Sequence, residues 1–106
     1  TKNLQFVEQL AETLDAIAKE RLRSAVYMAN EGKNGFEKVK ISRDDVDLKL
    51  SGMIQYMNKH KAFSMCKKRF DGVKENLKYV RTRVDTLSDD YESILFEVYH
   101  TKIFNS

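Results

Sequence analysis

The sequence predicts an all-α fold, either a long antiparallel helical hairpin or a small helical bundle with a coiled-coil-like seam. Three observations carry that expectation. The chain of 106 residues holds no proline and only four glycines, so little in it would break a helix. From Phe63 to Leu87 the apolar residues Phe63, Cys66, Phe70, Val73, Leu77, Val80, Val84 and Leu87 recur at alternating steps of three and four, the a/d pattern of a helix that meets another along a narrow seam. A second apolar stripe at helical spacing runs through the first thirty residues. The length fits a single helical domain, 1–106, and with 33% charged and 10% aromatic residues the chain is too apolar to stay disordered.

The first helix is expected over about 3–30. Val7, Ala11, Leu14, Ala18, Leu22, Ala25 and Ala29 form its stripe, with Leu10, Ile17 and Val26 beside it. The eleven-residue step from Val7 through Ala18 to Ala29 suggests a straight helix. Asp15 and Lys19 make a favourable i, i+4 pair. Asn3 is the expected N-cap, and Gly32 is placed to end the helix in the left-handed conformation. A loop is expected over 31–41, marked by the turn pair Asn34-Gly35; a phosphate-binding glycine loop would need a wider GxxxxGK[ST] arrangement, which is missing.

A long helix over about 43–87 should follow, opened by Ser42 as cap, Asp45 reaching back in a capping box, and Ile41 with Val46 as hydrophobic staple. Asp44, Asp45 and Asp47 favour a helix start and lack the ligand order of a calcium loop. The stripe runs on through Leu50, Met53, Met57 and His60. It then slips by three residues across Asn58-Lys59-His60-Lys61, and the absence of glycine or proline there favours a continuous helix over an interruption near 58–61. Gly52 and Gly72 lie inside it, Gly72 marking a close contact or a bend. A terminal helix is expected over about 89–102, after Thr86 or Ser88. Leu95, Phe96, Tyr99, Ile103 and Phe104 make that end apolar on several sides, which suggests an oligomer interface, a dimer being favoured.

Charge is segregated. Residues 59–83 carry nine basic side chains against Asp71 and Glu75, whereas 84–106 are net acidic. With Phe63 as heptad position a, the flanking e and g sites hold Lys67, Arg69, Lys74, Arg81 and Arg83 and no acid. Two copies of this seam would repel each other, so its partner should be a different, acidic helix or a polyanion. Glu8, Glu12, Glu20, Asp90 and Glu97 are the acids within reach. Alternatively, Lys61, Lys67, Lys68, Arg69, Lys74, Lys78, Arg81 and Arg83 form a track for nucleic-acid phosphates, with Tyr56 and Tyr79 available to stack on single strands. A third reading, a basic amphipathic helix for acidic membranes or a calmodulin-like groove, is weakened by Asp71 and Glu75.

No catalytic, metal or cofactor constellation is expected. His60 and His100 are the only histidines and stand in no ligand motif, and Thr1 lacks the setting of an N-terminal nucleophile. Cys66 is the single cysteine; at a seam position it reads as a core residue, and a reducing, cytoplasmic setting is expected. No apolar run approaches transmembrane length and no signal-peptide pattern opens the chain. A helix, a glycine-bearing loop, then an acid-started helix carrying Ile54-Gln55-Tyr56 and a basic amphipathic continuation resembles bacteriophage recombination mediators over about residues 44–84. That resemblance implies a single-strand-binding, recombination or replication accessory. The residues themselves favour a non-enzymatic, self-associating protein-interaction module, with nucleic-acid binding as the alternative.

Overall fold

The Thr1 hydroxyl accepts a hydrogen bond from the Leu4 amide at 3.1 Å and so caps helix α1, Lys2–Ala29. Thr1, not Asn3, is therefore the cap. The computed structural model describes residues 1–60 and 64–87, and all regular structure within them is α-helical: α1, then α2 over Phe36–Lys59, then α3 over Ser64–Asp85. α1 packs on α2 and α2 on α3. The expected terminal helix, with Leu95, Phe96, Tyr99, Ile103 and Phe104, lies outside the described residues, as do Lys61, Phe63 and His100.

α1 ends in a left-handed turn, with φ of 56° at Glu31 and 74° at Gly32, and the Gly32 amide bonds the Tyr27 carbonyl at 3.0 Å. A Cβ on Gly32 would stand 3.2 Å from Leu87 Cδ1 and 3.3 Å from the Tyr27 hydroxyl. Glycine is required there by both backbone and space.

The second helix starts earlier than the cap signals at Ser42 suggest. Gly35, at φ 92°, turns the chain directly into α2 at Phe36, without a side-chain cap. Ser42 is buried two turns inside; its hydroxyl donates to the Lys38 carbonyl at 2.9 Å and accepts from Arg23 Nη1 at 2.7 Å. Ile41 is exposed while Val46 is fully buried, so the two form no staple. Packing decided this. Val39 lies one turn before Ser42 on the same face as Val46, Leu50, Met53 and Met57, all buried, and burying it extends the helix toward Gly35. Phe36 adds ring contacts with Tyr27, centroids 5.4 Å apart, and with the Arg43 guanidinium at 5.6 Å.

The continuous long helix is not formed. α2 stops at Lys59, and His60 is extended at φ −123°, ψ 96°, its ring 4.4 Å from that of Tyr56. With 3.6 residues per turn, the Val46–Met57 stripe and the Cys66–Val84 seam would lie about 170° apart on one straight helix. Only a break lets both faces meet one core.

That core brings Ala16, Ile17 and Met28 of α1, Val46 and Leu50 of α2, and Leu77, Val80 and Val84 of α3 together, with Phe70 and Val73 partly buried against them. The seam thus packs on α1 and α2 of its own chain. It fades at both ends: Cys66 is half-buried, and Leu87, at φ 53°, lies beyond the helix and is 43% exposed.

Gly52 and Gly72 mark no close contact, for a Cβ at either would meet nothing within 4 Å. Both have helical neighbours on each side and exposed surroundings. Gly72→Ala is therefore expected to stabilise the fold by about 0.5–1 kcal/mol, read as a higher urea midpoint at unchanged slope. An unchanged or lower midpoint would mean that the glycine serves a contact that these helices lack.

Candidate functional site

Two features stand out beyond ordinary packing: an ionic junction where the three helices meet, and an uncovered apolar face on α1.

The junction is built on Arg81, projected by α3 one residue past Val80, so that its stem follows the seam into the core. Its Nη2 and Nε donate to the two carboxylate oxygens of Glu20 on α1, at 2.6 and 3.2 Å, and its Nη1 donates to Asp47 on α2 at 2.8 Å. Nη2 also reaches the Arg43 carbonyl at 3.3 Å. Arg43 answers with its own Nη2, placed 2.8 Å from Asp85 and 3.4 Å from the Arg81 carbonyl. Glu20 has no exposed surface, and the Arg81 side chain is 16% exposed. Burial by itself lowers the Arg81 pKa, but the hydrogen bonds and charges of Glu20 and Asp47 outweigh it and raise the pKa above its ordinary value. Arg81 is thus charged at every working pH. The bidentate fork is a geometry that lysine cannot reproduce.

This settles the positions of several expected site residues. Arg81 is withdrawn from any phosphate track, because its donors are spent inside the protein. Asp47 does not start a helix; it holds Arg81. Among the remaining basic residues, Lys78 pairs with Glu75 at 3.3 Å, and Arg83 lies on the Tyr79 ring and donates to its hydroxyl at 3.1 Å. Lys68, Arg69 and Lys74 are exposed and Lys67 half-buried. Tyr56 is half-buried against Phe6, ring centroids 6.3 Å apart, on a different helix from the exposed Tyr79.

The apolar stripe expected on α1 points away from the core except at Ala25, which is buried. The buried side of α1 holds Thr13, Ala16, Ile17, Glu20, Ser24, Ala25 and Met28. Leu4, Val7, Leu14, Leu22 and Val26 are 42–58% exposed, and Ala11 and Ala29 between them are also exposed, with Ala18 half-buried. Polar residues occupy the inner face because each has a partner there: Glu20 has Arg81, and the Thr13 hydroxyl donates to the Gln9 carbonyl at 2.8 Å. A reading by hydropathy alone assigns such residues outward. At its C-terminal end the stripe continues onto α2 through Ile41, 60% exposed, and Leu22, Val26, Gly35, Lys38 and Ile41 line an open groove there. No described helix is long and apolar enough to cross a membrane.

Comparison of the chain with protein-family models, with curated proteins and with solved structures finds no match.

Proposed function

We propose that the protein is a non-enzymatic interaction and assembly module that binds another protein helix through the apolar face of α1, in a cytoplasmic setting. The observation that carries this reading is the row of five large side chains, Leu4, Val7, Leu14, Leu22 and Val26, left open along one helix whose opposite side is fully packed. A row of that length is more than scattered surface leucines and marks a site that another surface covers. The three-helix junction supports it by holding α1 rigid from behind. Binding then orders few groups.

The nucleic-acid alternative loses Arg81 to the junction and retains, among the described residues, the exposed Lys68, Arg69, Lys74 and Lys78, the last in a surface pair with Glu75. Two measurements test the choice. A photo-crosslinking residue at position 22 is expected to give protein adducts, whereas the same residue at the exposed position 75 gives none. Labelled single-stranded and duplex oligonucleotides are expected to show no binding at low salt. Tight binding with a log–log salt slope near roughly −3.5 on single strands, as about five phosphate contacts would produce, reverses the proposal.

A further inference from the structure

We infer that the occupant of the α1 face is a second copy of this chain, docked antiparallel, α1 against α1; this deepens the interaction-module reading and rests on it. The sequence of the face is its own complement. Reading from the N-terminus, the open row, with Ala18 half-buried, runs Leu4, Val7, Ala11, Leu14, Ala18, Leu22, Val26, Ala29, and Val26 stands in it beside the buried Ala25. Set against itself in reverse, Leu4 meets Ala29, Val7 meets Val26, Ala11 meets Leu22, and Leu14 meets Ala18 of the second copy. Each leucine faces an alanine and valine faces valine, so every layer pairs large with small or medium with medium. A parallel pair would instead set leucine on leucine at three layers and alanine on alanine at three, leaving the helix axes no common distance.

Charge selects the same direction. Along one edge of the stripe the first half carries Glu8, Glu12 and Asp15, and the second half carries Lys19 and Arg23. Antiparallel docking sets this edge against itself in reverse, the acidic half of one copy beside the basic half of the other, whereas parallel docking sets it against the opposite edge, which carries Arg21 and no acid. Glu12 already reaches the half-buried Lys49 at 3.8 Å and Arg23 donates to Ser42 at 2.7 Å, so the exposed Glu8, Asp15 and Lys19 carry the cross-chain pairing, the Asp15–Lys19 contact at 3.2 Å being a surface pair that exchanges readily. The two-fold axis passes near residues 16 and 17, and the amino-terminal end of the second copy, Leu4 and Val7, reaches the groove edged by Val26 and Ile41. A contact of 28 residues per helix spans about 42 Å, enough length for an interface of the size that stable dimers use.

The test combines mass with register, in the full chain with Cys66→Ala. Light scattering at micromolar concentration is expected to give a dimer. The double variant Leu14→Glu, Leu22→Glu is expected to weaken it at least about a hundredfold, because two carboxylates per chain would enter an apolar seam, with the helical circular dichroism unchanged, since both side chains are exposed in the single chain. Val7→Cys and Val26→Cys chains, mixed and oxidised, are expected to cross-link to each other and not to themselves. Self-linking of either variant shows parallel docking and overturns the inference. A monomer whose Val26→Cys thiol reacts quickly with maleimide overturns it too, and leaves an open face for a different partner, so the module reading survives. A monomer with that thiol protected means the chain covers its own face. A dimer indifferent to the glutamates uses another surface. Either of these last two results overturns both the inference and the reading beneath it.

Discussion

Arg81→Met is expected to be among the most damaging single substitutions in the described residues, costing about 3–5 kcal/mol of unfolding free energy. The loss does not measure the value of the ion pair. Methionine fills most of the arginine's volume but leaves the Glu20 carboxylate buried at 0% exposure without its bidentate partner, and an uncompensated buried charge is what destabilises. The companion variant separates the two effects. Changing Glu20→Leu together with Arg81→Met removes both charges and is expected to recover most of the loss, to within about 1–2 kcal/mol of the parent or better, because a well-packed apolar pair often matches a buried salt bridge. Urea denaturation of the parent, both single variants and the double variant supplies the full cycle. A double variant as unstable as Arg81→Met would show that the junction contributes shape and hydrogen bonds beyond its charges. Since Arg81 stays protonated throughout the accessible range, no alkaline loss of stability should trace to it.

Ile17→Ala is expected to cost about 2–5 kcal/mol, whereas Leu22→Ala on the same helix should stay within about 0.5 kcal/mol when measured at a concentration too low for association. Ile17 is 2% exposed and sits in the cluster with Leu50, Leu77 and Val84; Leu22 is 58% exposed. Hydropathy alone puts Leu22 in the main stripe and Ile17 beside it, so the pair tests which side of α1 faces the core. A larger loss for Leu22→Ala under dilute conditions would reverse the orientation of the helix and remove the basis for a docking face. At higher concentration Leu22→Ala should also lose the stabilisation that association adds by mass action, and that part should grow with protein concentration.

The helical class and the seam were readable because they rest on local rules: absence of proline, steps of three and four, glycine where the chain must turn left-handed. Leu77, Val80 and Val84 are buried where the spacing places them. The cap pattern at Ser42 is equally local, yet it does not set the start of α2. It was outweighed by burial of Val39, a contact with residues distant in sequence. The break at His60 had a signal that spacing alone contains, the rotation of about 170° between two stripes at 3.6 residues per turn, but its meaning depends on both faces sharing one core. The junction was half visible: Arg81 and Glu20 could each be named from the sequence as a flank base and an available acid, while their meeting across 61 positions at 2.6 Å could not.

Local spacing and composition therefore settle what neighbours along the chain can settle: the helical class, the extent of α1, the apolar residues of α3 and the uneven charge. Direction and pairing come from contacts between helices. α1 carries apolar residues on two sides, and a helix with two such sides can bury either. The side with Ile17, Glu20, Ser24 and Met28 faces inward because Arg81 of α3 and the α2 stripe meet it there. A buried carboxylate is stable only when its partner arrives from another helix, and no rule of spacing along one helix contains that partner.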